Sequence, residues 1–359
     1  MRRFWRILAA AGILVTGLIV GLVAIVLFTQ RQCTAPRNAE TAAWHSIMLP
    51  DERRDEVDTY LTYPEWSIVY VYDDLAAVSR RSSESDFDYF GSIRQFWTSM
   101  CAVKRIASSR GDIPLDYNAM LYIIGFSFTA EMAIQGAYEK TIGAATAWLR
   151  GSKRTPEDKF ALSVEDDYAH FLRQTPWYEY PFAATLVRFW RETPFGYASP
   201  VRAVERRIAL TLQYGIKAPY AKVIGFLAGA SPAPTMIRSV VVDLREEDVA
   251  ADHRIVLVRR DGAMAVIETP RYQELTDILA ELARKGRDVS EIAGNRRILL
   301  TVLSPGCRAP DGHTLLFSVP LQTKPGWCRQ GIDVQVPHLA DVLRSLKPGG
   351  PELEHVFDY

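Results

Sequence analysis

The chain has 359 residues, with 42 Lys+Arg against 42 Asp+Glu and a formal net charge of zero. That balance argues against a general nucleic-acid binder, which needs a basic excess to neutralise phosphates. Hydrophobic residues make up 48% of the chain, ample for a core, and the length suggests about two domains.

The first element is the uncharged run "ILAAAGILVTGLIVGLVAIVLF", Ile7 to Phe28. As a helix it is about 33 Å long, enough to cross a bilayer core. Arg2, Arg3 and Arg6 precede it and Arg31 and Arg37 follow it. This excess favours a cytoplasmic N-terminus and an extracytoplasmic bulk. The run is longer than a signal-peptide core and ends in no small-x-small cleavage site. "TQRQC" places bulky polar residues before Cys33, unlike a lipoprotein signal. The expectation is therefore an uncleaved single-pass anchor in the plasma membrane, the inner membrane if the source is bacterial, with a periplasmic bulk and the lipid bilayer as first partner. Gly17 and Gly21 form a GxxxG pair, a candidate homodimer contact, although glycine is common in membrane helices anyway.

After this tip and anchor (1–30), residues 31–50 read as a polar linker and 51–236 as a mainly helical domain. Thr62-Tyr63-Pro64-Glu65 fits a capping box at a helix start. Thr155-Pro156, Ser199-Pro200 and Thr269-Pro270 repeat the pattern of a capping hydroxyl before a first-turn proline. "TPWYEYPF" (175–182) breaks it, because Pro181 arrives too soon; a turn or short helical piece with aromatics pinned to a core is expected. Two stretches, 117–149 and 208–230, are unusually apolar. Glu131 in the first and Lys217, Pro219 and Lys222 in the second weigh against spanning, so both are expected to be central helices of a soluble core; the alternative is that they insert into the membrane or lie in its interface.

The last segment, 237–359, changes character. "IRSVVVDL", "RIVLVRR" and "AMAVIE" read as strands, with Asp261-Gly262 as a hairpin turn. A helix "RYQELTDILAELARKG" and a strand near "DVSEIAG" follow. Strands "RILLTVLSP", "HTLLFSVPL" and "GIDVQVP", a helix "HLADVLRSLK" and a strand "ELEHVFDY" then repeat the order. The fold class expected is α+β: an N-terminal transmembrane helix, a mainly α-helical middle domain, and a C-terminal α+β domain with a tandem βββαβ duplication, 237–296 and 297–359. The seam of two such halves is a plausible groove.

The four cysteines are Cys33, Cys101, Cys307 and Cys328. Cys307 and Cys328 flank one predicted strand and are a disulfide candidate in an oxidising compartment. Nothing in the spacing pairs Cys33 with Cys101, and no spacing suggests zinc.

Fingerprints of catalysis, such as GxSxG, HExxH, a Walker loop or GxGxxG, are missing. In "EDDYAH" Asp167 and His170 make a D-x-x-H step. Di-metal bundles pair such steps with lone glutamates, here Glu131 and Glu205, but a second acid-x-x-His is lacking. A surface ion pair is the plainer reading. Glu131 stands out as a carboxylate within an apolar stretch, expected to be paired by Lys217, Arg206 or Arg207. Glu65 and Glu179, beside Trp66, Trp177, Tyr178 and Tyr180, are candidate carboxylates for sugar chemistry, although helix starts already account for them. No cofactor is expected. The function expected is a membrane-anchored, non-catalytic binding or assembly module whose partner is another membrane or envelope protein. The alternative is an envelope glycan- or lipid-acting enzyme using Glu65, Glu131 or Glu179.

Overall fold

The computed structural model describes residues 26–37, 46–173, 175–194, 199–228, 235–308, 312–346 and 349–359, with Val20 and Ala24. Most of the expected anchor, including Gly17 and Gly21, lies outside the described residues. Among the described residues no helix is long and apolar enough to cross a membrane. The fold is α+β, with helices first and two antiparallel four-stranded sheets after them.

The helical part contains α1 (Asp58–Leu61), α2 (Tyr63–Arg81), α3 (Tyr89–Arg110), α4 (Leu115–Tyr138), α5 (Ala144–Arg150), α6 (Pro156–Leu172), α7 (Phe182–Glu192) and α8 (Pro200–Ala228). A π turn, Glu139–Gly143, joins α4 to α5. The start of α6 follows the sequence rule: Thr155 Oγ1 accepts from the Asp158 amide at 3.1 Å, and Asp158 Oδ2 accepts from the Thr155 amide at 3.1 Å. At α2 the rule fails. Thr62 is itself helical (φ −73°, ψ −25°) and caps nothing. The preceding turn α1 runs straight into α2, so the backbone amides there already have partners. Trp177–Glu179 is a single 3₁₀ turn, as its two flanking prolines demand.

The first sheet holds β1 (Met236–Val242), β2 (Val256–Asp261), β3 (Met264–Pro270) and β4 (Asp288–Ile292), in the order β2-β3-β1-β4. A short helix α9 (Glu246–Ala251), which the strand reading missed, follows β1. Helix α10 (Gln273–Arg284) follows β3. It does not start at Thr269-Pro270 as expected. Pro270 ends the strand, and Tyr272 turns the chain at φ 63° before the helix begins. The second sheet holds β5 (Arg297–Pro305), β6 (Thr314–Pro320), β7 (Trp327–Gln335) and β8 (Glu352–Phe357), in the order β6-β7-β5-β8, with α11 (Val336–Ser345) after β7.

The two sheets share more than strand order. The register slips once between Val240 and Val241 against β4, and once between Thr301 and Val302 against β8. The outer hairpins slip between Leu257 and Arg259, and between Leu315 and Phe317. Each slip adds local twist and fixes pairing at that point. One apolar core lies between the sheets, built from residues such as Val241, Ile267, Leu300 and Val334 with Leu279 of α10 and Leu339 of α11. The helices cross over: α10 packs on β3 and β8, α11 on β7 and β4.

The outer faces of the sheets differ. That of the second carries Leu299, Phe317 and Phe357, which pack against Tyr60, Tyr63 and Val103 of the helical part. Tyr60 Oη donates to Asp333 at 2.8 Å, and Thr59 Oγ1 donates to the Phe357 carbonyl at 2.6 Å. The outer face of the first is covered by residues 46–52. Met48 packs on Val240 and Val266, the Ile47 amide donates to Glu291 at 3.2 Å, and Glu52 pairs with Arg238 at 2.6 Å and with Arg259. The end of the expected linker is thus part of the fold.

Candidate functional site

The residue pairs that matter most lie where the apolar N-terminal run meets the helical part. Residues 26–32 are helical. Lys104 of α3 has no exposed surface, and its Nζ donates to Gln30 Oε1 and, at 3.0 Å, to Tyr122 Oη of α4. Burial pushes the Lys104 amine down to about 8. Arg105 Nε donates to the Gln32 carbonyl at 2.7 Å, and the Ala35 amide donates to Ser108 Oγ at 2.9 Å. Cys33 is disulfide-bonded to Cys101, with Cα atoms 4.7 Å apart. This pairing was not readable from spacing, because it depends on how the N-terminal segment docks on α3. A covalent link, a buried lysine and two further hydrogen bonds fasten the end of the run to α3 and α4. Cys307 and Cys328 form the second disulfide, so all four cysteines are paired.

The charges in the first two turns of α8 are turned into the helical part. Arg202 donates to Asp158 at 2.9 Å and to Glu205 at 3.0 Å. Arg206 pairs with Glu139 at 2.8 Å and with Glu84 at 3.1 Å. Arg207 pairs with Glu157 at 2.9 Å. The cluster ties α8 to α6 and to the π turn. Glu165 of α6 borders it with its Oε2 buried and unpartnered. Burial, reinforced by the Glu84 carboxylate, pushes Glu165 up to about 8.

The sequence-predicted carboxylates do not converge. Glu131 is 2.5 Å from Lys217 Nζ on α8, and accepts from Tyr72 Oη at 2.6 Å. It thus has the partner that its apolar surroundings demand. Glu65 is exposed on the first turn of α2, and Glu179 is exposed at the end of its 3₁₀ turn. Both charges reach Tyr178, whose hydroxyl is pushed up first by burial and then by these two carboxylates. Asp73 and Asp74 are taken by Arg173 at 2.9 Å and Thr323 at 3.0 Å. His170 is exposed in the last turn of α6, and Asp167 meets Arg188 at 3.5 Å on the surface. Glu205 is held by Arg202. Among the described residues no group of three His, Cys, Asp or Glu is placed to hold a metal.

One surface cavity of about 260 Å³ is lined by Arg297, His313, Thr314, Asp333, Gln335 and His338. Its carboxylate is already engaged: Asp333 accepts from Arg297 at 2.7 Å and from Tyr60. Elsewhere His355 is buried against Trp66, with ring centroids 4.2 Å apart and the rings tilted by 34°, and burial holds its imidazole down to about 4.

The chain matches no protein-family model, no curated protein and no solved structure.

Proposed function

We propose that this chain is a membrane-anchored, extracytoplasmic binding or assembly module. The anchor is the Ile7–Phe28 run. The observation that carries the reading is the clamp just after it: Cys33–Cys101 and Gln30–Lys104 fasten the chain to the folded part where the run ends. A segment that merely tethered a free domain would need no such fastening. Two disulfides are in keeping with an oxidising compartment, the periplasm in a bacterium. The N-terminus is then cytoplasmic, and the Gly17–Gly21 pair is available to a second copy.

A binding role is favoured over chemistry because Glu131 is committed to Lys217, while Glu65 and Glu179 lie exposed at a helix start and a turn. The partner is another membrane or envelope protein, presented with the two-sheet unit. The sheets share strand order and slip positions, which supports an internal duplication of 237–296 and 297–359.

The test is protease treatment of sealed, right-side-out membranes carrying the full chain with a C-terminal tag. The reading expects the tag and the sheet unit to be digested from outside without lysis. Protection until the vesicles are opened would overturn it.

A further inference from the structure

The two apolar stretches are not the central helices that their composition suggested. Both α4 and α8 lie at the surface, each with an uncharged face outward. On α8 the exposed positions Val201, Val204, Ile208, Leu212, Ile216 and Val223 recur at three-, four- and seven-residue steps. They form one stripe that continues to Phe226, which is 87% exposed. Arg202, Glu205, Arg206, Arg207 and Lys217 all turn away from this stripe into ion pairs. Lys222, near the C-terminal end, is the one charged side chain exposed on the described part of α8. From Val201 to Phe226 the stripe runs about 38 Å, against a hydrocarbon core of about 30 Å.

Beside it, the outward positions of α4 between 119 and 137 include Met120, Ile123 and Ile134 and no charge. Trp148 of α5 is 81% exposed. The pattern inverts the usual soluble arrangement, in which the apolar stripe faces the core and charges face water. Helix α6 keeps the ordinary polarity, with Lys159, Ser163, Asp167 and His170 outward.

We infer that the α4–α8 face lies against bilayer hydrocarbon beside the anchor, while α6 faces water. This rests on the anchored reading above. The choice of lipid as occupant follows from continuity. Leu27 and Phe28, exposed at the end of the uncharged run, are fastened to α3 and α4 through Gln30 and Cys33. A bilayer that takes the run therefore lies next to α4. No single described helix has the composition of a span; the apolar surface belongs to one face only, so the contact is one-sided. Inward ion pairs with an outward apolar surface are what a lipid-facing helix requires, and Lys222 near the stripe's end can extend its amine to the headgroups.

The test uses the full chain in vesicles of phosphatidylcholine and phosphatidylglycerol containing a nitroxide on the acyl chain. Single variants Leu27→Cys, Ile134→Cys, Ile208→Cys, Ile216→Cys and Ser163→Cys carry an environment-sensitive fluorophore. The inference expects the labels at 134, 208 and 216 to be quenched several-fold more than that at 163, and comparably to that at 27. Quenching at 27 alone overturns the inference and leaves the anchor standing. Labels at 208 and 216 that are shielded from water but unquenched also overturn it: loss of shielding on dilution assigns the face to a second copy, and shielding that survives dilution assigns it to the chain's own apolar run. Absence of quenching at 27 as well removes the anchored reading and the inference with it.

Discussion

Lys217 Nζ lies 2.5 Å from Glu131 Oε1, joining α8 to α4 alongside a second polar pair, Ser127 Oγ and Tyr220 Oη at 3.2 Å. The rings of Tyr168, Phe182 and Tyr72 surround the ammonium at 5.2, 5.4 and 5.7 Å, so it loses water but gains aromatic faces. Removing one partner leaves the other charged in an apolar setting. Lys217→Met is expected to cost about 2 kcal/mol, below the full penalty of a buried pair because Glu131 is partly exposed. The double variant Glu131→Gln, Lys217→Met should recover much of that loss. A chemical-denaturation double-mutant cycle with no coupling would remove this pair from the account.

Glu165 gives a pH dependence of definite sign. Its folded-state carboxyl sits at about 8, against an ordinary 4.5. Between those values the folded chain holds a proton that the unfolded chain has released. Its stabilising contribution is therefore complete below pH 4.5 and lost as pH rises toward 8. Glu165→Gln, which stays neutral, is expected to be more stable than the parent by about 2 kcal/mol at pH 7. The gap should close near pH 4. Thermal melts across that range decide it, and a constant gap would contradict the prediction.

Glu52 works in the opposite direction. Arg259, chiefly, holds its carboxyl down to about 2 from an ordinary 4.5. Its contribution is present above pH 4.5 and lost as pH falls toward 2. Because Glu52 fixes residues 46–52 on the first sheet, Glu52→Gln is expected to expose the bonds after Arg53 and Arg54. Trypsin at neutral pH should cut the variant there faster than the parent; equal rates would mean that the segment is held by Met48 and Glu291 instead.

The sheet unit was legible because β-branched residues bounded by turn signals leave few alternatives over 236–357. The α10 start was misread because Thr269-Pro270 looks like a cap, while the positive φ of Tyr272, which sets the true start, has no signal at a tyrosine. That Glu131 needs a cation from Lys217, Arg206 or Arg207 was legible because charges are sparse in the two apolar stretches; the choice of Lys217 was not, because it depends on which carboxylates take Arg206 and Arg207. The outward faces of α4 and α8 were illegible for a related reason. Composition shows that a helix is apolar, but which face looks inward depends on where its charges find partners. For α8 those partners are Asp158, Glu139 and Glu84, far away in sequence.

Reducing the Cys33–Cys101 bond releases a loop of sequence separation 68. The chain-entropy model puts its contribution at about 4 kcal/mol. Cys33→Ser with Cys101→Ser should lower the unfolding midpoint of the full chain in detergent. No change would mean that Gln30 and Lys104 hold the segment unaided.

The most direct measurement is the thiol state of the chain in its own cells. Thiols are blocked at lysis, the chain is digested without reductant, and linked peptides are identified by mass spectrometry. The expected result is Cys33 joined to Cys101 and Cys307 joined to Cys328. Four free, alkylated cysteines would contradict both the clamp and the extracytoplasmic placement that rests on it.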